Sequence, residues 1–170
     1  VVLESPRARR PHWVRAYLAP SYRTASGSEG FALELLAEIL GGGDSSRLYR
    51  TLAVERKLAV GARAGYGGRS LDLTEFNLSV APADGVVLAA LETAVDEVVA
   101  SLLASGVKAE ELERAKTSLV SSAIYARDSL SAPAHILGAV LATGGSIADI
   151  EAWPERIAAV TADEVNQVAR

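Results

Sequence analysis

The hydrophobic pattern of this chain has two periods, and their order along the chain restricts the folds that the chain can adopt. In residues 12–19, 60–66 and 74–80, side chains of different character alternate from one position to the next, as they do in strands whose two faces have different surroundings. From Gly85 onward, apolar residues recur every three or four positions, as in helices that bury one face. Strands followed by grouped helices, without regular strand–helix alternation, predict an α+β domain with an antiparallel-rich sheet packed against several helices.

The strand segments differ in how they are connected. Gly67-Gly68 separates the second segment from the third, and a short glycine-rich turn favours an antiparallel pair. The first segment ends at Pro20 and is predicted to be half-buried. Its alternating positions carry Val14, Ala16 and Leu18 on one side and Trp13, Arg15 and Tyr17 on the other.

The helical segments have recognisable boundaries. A helix with Leu35 on its apolar face ends at Gly41-Gly42-Gly43, and the next, capped by Asp44 or Ser45, is predicted to run toward Lys57. A long helix ends at Gly106 and a second long helix follows it. The remaining predicted helices are Ser129 to Leu141, a short one after Ser146 that ends at Trp153-Pro154, and a last one opened by the capping box Thr161-x-x-Glu164.

Composition excludes several classes of function. The formal net charge of −4 argues against a nucleic-acid partner, and the basic cluster Arg7, Arg9 and Arg10 is interpreted as a solvated entry segment. No Cys is present, which excludes disulfides and thiolate metal sites and makes periplasm and cytoplasm equally compatible. No apolar run is long enough to span a membrane. Because the chain has no Met and stops inside a predicted helix, we expect residues 1–170 to be one domain excised from a larger protein.

Few residues in this chain combine into a catalytic or metal-binding pattern. His12 and His135 each lack a second ligand at metal-binding spacing, so both are predicted to be structural. No G-x-S-x-G nucleophile elbow occurs. Glu92, Asp96 and Glu97 share a helix, where a solvated acidic face is favoured over a divalent-cation site.

Gly41-Gly42-Gly43 is the most distinctive local feature, and it has two interpretations. Glycines before a helix N-terminus can cradle a phosphate, but the Gly-Lys-Ser/Thr ending is missing and Asp44 would repel an anion. A helix-to-helix hinge, with glycine supplying a positive φ angle, is the simpler interpretation.

The glycines belong to a longer pattern. Residues 31–50 read FALELLAEILGGGDSSRLYR, Pro20-Ser21-Tyr22 precedes them, and the segments 106–116 and 160–165 follow in order. This arrangement resembles the C-terminal half of zinc metallopeptidases of the pitrilysin/insulinase family (inverzincins), which includes the mitochondrial processing peptidases.

The resemblance implies a half-domain of the pitrilysin/insulinase metallohydrolase fold that faces a homologous N-terminal half across a peptide chamber. Zinc is then held by an H-x-x-E-H motif in that N-terminal half, so this chain is expected to have no cofactor and no catalytic residue. The resemblance also carries over Gly41, Gly42 and Gly43 as substrate-loop residues. Arg47 and Tyr49 are carried over with them, with helix anchoring as the other role open to both.

One departure from the family pattern bears on activity. In the family that the chain resembles, many relatives carry an Arg and a Tyr that contact substrate near the zinc, where this chain has Ala53 and Val60. Either Arg56 or Tyr66 replaces them, or this half contributes little to stabilising the transition state.

Two functions follow from the resemblance. The first is the substrate-binding half of a zinc endopeptidase, inactive alone, with an N-terminal zinc-bearing half and a peptide as partners; a homodimer is also compatible. The second is a scaffold or assembly subunit of the same fold without proteolytic activity.

Overall fold

The computed structural model describes residues 11–170, and the predicted basic cluster Arg7, Arg9 and Arg10 lies outside them. Within that range the chain forms an antiparallel sheet and a layer of helices, which confirms the predicted α+β class. The strands are β1 (Trp13–Ala19), β2 (Ala59–Tyr66) and β3 (Thr74–Pro82). The helices are α1 (Glu29–Gly41), α2 (Arg47–Tyr49), which continues as a π-helical segment (Arg50–Glu55), α3 (Leu88–Ser105), α4 (Ala109–Ala126), α5 (Ala132–Ala142), α6 (Ile147–Ala159) and α7 (Ala162–Val168).

The sheet places β3 between β1 and β2, and both pairings are antiparallel. The β2–β3 hairpin is the pair that the Gly67-Gly68 turn predicted. β1 pairs along its whole length with β3, from Trp13 opposite Val80 to Ala19 opposite Thr74. A register shift between Ala59 and Gly61 makes a bulge at the start of β2.

The helices cover the face of the sheet that carries Phe76, Leu78 and Val80, all of which are buried. Directly paired residues share a face, so Trp13 lies on this covered side with its partner Val80. The more apolar side of β1 is therefore the open one: Val14 is 57% exposed and Leu18 is 76% exposed. Sequence alternation identified the two sides of the strand but not which side the helices cover.

The first helix is the centre of the core. Most of α1 is buried, and it packs against β2, α4 and α7. Leu35 in this helix is fully buried, together with Leu48, Leu91 and Ile157 from other helices. Burying one such side chain contributes about 1.5–3 kcal/mol to the stability of the fold. The buried helix α1 therefore fixes the positions of the chain segments that precede and follow it.

The helix that was predicted to run from a cap at Asp44 or Ser45 toward Lys57 is α-helical only at its start. Ser46, not Asp44 or Ser45, takes the N-cap position of α2, and its side chain makes no capping hydrogen bond. After one turn the helix widens into the π-helical segment, which ends at Glu55. Lys57 then adopts a left-handed conformation with φ of +54°, an unusual state for a residue with a Cβ atom.

The later helices follow the predicted boundaries except at two points. α5 begins at Ala132 rather than Ser129, and α6 continues through Pro154 to Ala159 instead of ending there. The predicted capping box at Thr161 and Glu164 is present at the start of α7. In residues 11–170 no single helix is long and apolar enough to cross a bilayer; α5 and α6 reach that length only together, and they are bent by 102°.

Candidate functional site

The predicted glycine loop, Gly41–Gly43, joins α1 to α2, and each glycine meets a different constraint. Gly41 is buried, and a Cβ atom on it would lie 1.8 Å from the backbone nitrogen of Ala64 in β2. Gly43 has φ of +148°, which strongly favours glycine. Gly42 has an ordinary φ of −79°, and its N–H donates to the Glu38 carbonyl oxygen at 2.8 Å. Of the three, Gly42 and Gly43 are exposed and present backbone to solvent.

Arg47 holds α2 against the start of α4. It donates to both carboxylate oxygens of Glu111, at 2.9 and 2.7 Å, and to the Gly106 carbonyl oxygen at 2.7 Å. The two side chains are only 15% and 18% exposed. Burial alone would raise the pKa of Glu111, but hydrogen bonds from Arg47 and from the Lys108 backbone N–H outweigh it and lower that pKa. These contacts tie α2 to α4, and the role of Arg47 in substrate binding or in anchoring the helix stays a prediction.

The other residues that the resemblance singled out are spread along the same connection. Tyr49 is half-buried in α2, Ala53 is half-buried in the π-helical segment, and Val60 is 64% exposed at the bulge of β2. The two candidate replacements are both engaged in contacts within the domain. Arg56 forms an ion pair with Glu97 of α3, and the hydroxyl of Tyr66 donates to the Pro20 carbonyl oxygen at 2.6 Å.

A small polar hollow lies directly behind the glycine loop. It has a volume of about 100 Å³ and is lined by Glu38, Gly42, Ser46 and Ser118, among others. The buried hydroxyl of Ser46 has no hydrogen-bond partner among the residues that the structure describes. Burial raises the pKa of Glu38, and a hydrogen bond from Ser118 opposes this only partly. The loop is therefore backed by polar groups rather than by apolar core.

A much larger cavity, of about 730 Å³, lies at the other end of α1. Gly27, Ser28 and Phe31 line it from the start of that helix, while the glycine loop follows its C-terminal end. At 1.5 Å per residue the two places are separated by roughly 20 Å. No local pattern in the sequence reveals this cavity, although the apolar composition of α5 indicates that this helix packs against another surface.

The floor of the large cavity is fixed by aromatic side chains. The hydroxyl of Tyr22 donates to the carboxylate of Glu34, and the indole N–H of Trp153 donates to the same carboxylate at 2.9 Å. The Tyr22 ring stacks on Phe31 with 5.0 Å between ring centroids and meets Tyr66 edge-on at 6.0 Å. Burial, followed by the charge of Glu34, raises the pKa of Tyr22 well above its ordinary value, so the phenol stays protonated. This network holds α1, α6 and the segment after β1 in one arrangement.

The candidate metal ligands of the sequence either make other contacts or lie far from one another in the fold. Arg15 pairs with both Glu92 and Asp96, which ties β1 to α3. His12 shares a 2.9 Å hydrogen bond with Ser79, and His135 is exposed on α5. Among residues 11–170, no group of three or more His, Asp or Glu side chains is placed to hold a metal ion.

Comparison with protein families gives a match that covers most of the chain. The model of the family described as the peptidase M16 inactive domain matches residues 1–119, which include the glycine loop, Arg47 and the whole sheet. Comparison with curated proteins gives no match.

Solved structures share the fold. A protease from Helicobacter pylori is 21% identical with a TM-score of 0.80 over 93% of this chain, and this chain spans 37% of it. An inactive peptidase domain assigned to a zinc protease of Bordetella parapertussis is 23% identical with a TM-score of 0.76, over 96% of this chain and 84% of that one. The peptidase M16 inactive domain from Pseudomonas fluorescens is 23% identical with a TM-score of 0.76, over 92% of this chain and 36% of that one.

Proposed function

Because the chain belongs to the family of peptidase M16 inactive domains, we propose that it is the non-catalytic, substrate-binding half of a zinc-dependent endopeptidase. In this proposal an N-terminal partner half carries the zinc, and the two halves enclose a peptide between them. The observation that carries the proposal is the family match over the region that contains the glycine loop.

The geometry of the loop supports a role in holding a peptide backbone. Gly41 fits against β2 on one side of the loop, and Arg47 ties α2 to α4 on the other, so both ends of the loop are fixed. Between them Gly42 and Gly43 are exposed and have no side chains, so another backbone can approach closely. A half-domain of this kind contributes position and the exclusion of water rather than a reacting group.

The family match supports the placement of zinc in the partner half, because the matched domain is the inactive one. Zinc sites in peptidases use His and carboxylate ligands that converge on one point. The two histidines lie at the start of β1 and in α5, and the described residues bring no such ligand group together. A homodimer, which the resemblance also allows, stays a prediction.

The substrate role of the loop is tested in the full-length protein that contains both halves. A Cβ atom on Gly42 would lie 2.0 Å from the carboxylate of Glu38, so the double variant Gly42→Ala/Glu38→Ala is compared with Glu38→Ala alone. The two proteins differ by one methyl group on the loop, at residue 42. The φ angle of Gly42, −79°, is one that alanine adopts readily. The double variant should have a higher KM for peptide cleavage at an unchanged melting temperature. Identical kinetics in the two proteins would remove the loop from the substrate site.

A scaffold subunit of the same fold is the second candidate, and a specific observation favours it. By the resemblance, many relatives carry an Arg and a Tyr where this chain has Ala53 and the exposed Val60. The candidate replacements Arg56 and Tyr66 are engaged with Glu97 and Pro20. The coding sequence upstream of Val1 and in neighbouring genes separates the two functions. An H-x-x-E-H segment there supports the peptidase, and its absence from both supports the scaffold.

A further inference from the structure

The large cavity is built from elements that the proposed substrate loop does not use. It lies between the start of α1, the end of α4, and the helices α5 and α6. Its volume of about 730 Å³ is typical of ligand-binding pockets, which span about 300–1,000 Å³. The Tyr22–Glu34–Trp153 hydrogen bonds hold its floor in place, so the cavity is pre-formed.

The wall that α5 provides is unusually apolar for a helix that contributes nothing to the core. Its sequence is APAHILGAVLA, and this helix, which the structure describes in full, contains no buried residue. Leu137 remains 37% exposed and Leu141 remains 51% exposed. An amphipathic helix normally turns its apolar side to the core. Here Ile136, Leu137 and Val140 face the cavity instead, opposite Phe31, Ile150 and Trp153.

The rim of the cavity is positively charged. Arg23, Arg69, Arg127 and Arg156 line it, and Asp149 is the one acidic residue among the described residues that do so. Asp149 is already paired with Arg156 at 3.0 Å. Arg23 is held in place by donating to the carbonyl oxygens of Thr143 and Gly144, both at 3.1 Å. In a chain whose formal net charge is −4, this concentration of arginines favours a ligand that carries negative charge.

We propose that this cavity binds a segment of the peptide substrate in which apolar side chains stand next to acidic ones. The apolar side chains fill the space between α5 and Trp153, and the carboxylates reach Arg69 and Arg127, which are exposed at the rim. Gly27 also lines the cavity, and because it is exposed and has open space where a Cβ atom would lie, a peptide backbone can approach it. This inference rests on the proposed function for the occupant being a peptide, and it names the class of peptide.

Binding is measured on the isolated chain by tryptophan fluorescence. The chain has two tryptophans, Trp153 in the cavity wall and Trp13 in β1, so a Trp13→Phe background leaves Trp153 as the reporter. The probe is a short soluble peptide that alternates Leu and Glu. It is compared with a Leu/Lys peptide, a Ser/Glu peptide and octanoate. Saturable binding of the Leu/Glu peptide is expected, with affinity for the Leu/Lys and Ser/Glu peptides lower by about tenfold or more.

Variants then locate the site. Arg69→Glu/Arg127→Glu should abolish the preference for Glu over Lys, and Leu137→Glu should weaken binding of the Leu/Glu peptide by about tenfold or more. Arg63→Glu, a matched reversal at an exposed position of β2, should leave binding unchanged. Circular dichroism and melting temperature establish that each variant is folded, and the rim variant, which alters exposed side chains, remains a test if Leu137→Glu unfolds.

The outcomes separate this inference from the proposed function. Equal affinity for the Leu/Glu and Leu/Lys peptides, or octanoate binding as tightly as the Leu/Glu peptide, would overturn the acidic peptide site. Neither result would change the loop kinetics of the full-length protein, on which the proposed function is tested. Conversely, peptide binding in the large cavity does not require the zinc-bearing half. It is therefore still expected if the Gly42→Ala/Glu38→Ala and Glu38→Ala proteins have identical kinetics.

Discussion

At the scale of single residues, the ion pairs of this chain differ mainly in how far they are withdrawn from water. The pair of Arg47 with Glu111 is largely buried, whereas that of Arg50 with Glu55 is 63% and 54% exposed with a separation of 3.5 Å. A buried pair that loses one partner leaves an uncompensated charge, while an exposed pair contributes little. The two arginines are therefore a matched pair for measuring what burial adds.

Arg47→Ala should lower the free energy of unfolding at neutral pH by about 2 kcal/mol, the scale of hydrogen bonds to a charged group. Arg50→Ala should change it by less than about 0.5 kcal/mol. Glu111 has a lowered pKa in the folded chain, so the stability it contributes is complete above its ordinary value of 4.5 and is lost as the pH falls below it. Urea unfolding from pH 7 down to pH 3 would measure both effects; equal losses in the two variants would contradict the anchoring role.

Glu38 gives the opposite pH dependence. Burial raises its pKa above 4.5, so ionising this carboxyl costs more in the folded chain than in the unfolded one. Glu38→Gln removes that cost and should increase the free energy of unfolding at pH 7. The gain should shrink as the pH falls through the raised pKa and vanish below the unfolded value, because the wild-type carboxyl is then protonated in both states. Urea unfolding across pH 4–8 measures it, with Glu110→Gln, an exposed position on α4, as the control.

At the scale of elements, the contact between α1 and β2 depends on a missing side chain. Gly41→Ala would place a Cβ atom 1.8 Å from the Ala64 nitrogen, so α1 must shift away from the sheet. Overpacking of this kind should lower the free energy of unfolding by about 3 kcal/mol. Gly138→Ala, in the exposed part of α5 where a Cβ atom meets nothing within 4 Å, should instead raise it by about 0.5–1 kcal/mol. Thermal unfolding of the two variants compares them directly, and a Gly41→Ala protein as stable as wild type would contradict the close contact.

The elements that the sequence predicted well are those whose signal is local. The three strands, the hairpin turn, α3 with its end at Gly106 and the Thr161 capping box all follow from periodicity and capping chemistry. α6 was predicted to stop at Pro154, but the proline removes one hydrogen bond while the fully buried Ile157 beyond it keeps the helix in place. Tertiary packing outweighed the local signal there.

The candidate site likewise has one part that the sequence predicts and one part that it does not. The glycine loop is visible in the sequence because glycine spacing is local, and the structure then assigns separate constraints to Gly41 and Gly43. The large cavity is not visible, because it joins residues from Tyr22 to Trp153 that meet only in the folded chain. The side of β1 that faces solvent is likewise decided by where the helix layer lies, which no strand pattern contains.

At the scale of the whole molecule, the distribution of ligand-type side chains leads to the last prediction. Zinc in peptidases needs several His or carboxylate ligands that converge on one point. Here His12 bonds to Ser79, Arg15 takes up Glu92 and Asp96, and residues 11–170 contain no converging group of such ligands. The 170-residue chain, dialysed after exposure to zinc, should therefore retain no stoichiometric metal by atomic emission and should cleave no quenched peptide.

Under the proposed function, the control is the full-length protein with both halves, which is expected to retain zinc and to lose cleavage when a chelator is added. If the isolated chain kept one equivalent of zinc, or cleaved peptides in a chelator-sensitive way, the catalytic centre would have to be sought in this half. His12→Ala and His135→Ala would then identify the ligand, because these are the only histidines in the sequence. If the partner half alone retained the metal and cleaved peptides only after this chain was added, zinc would be assigned to the partner half and a non-catalytic contribution to this chain.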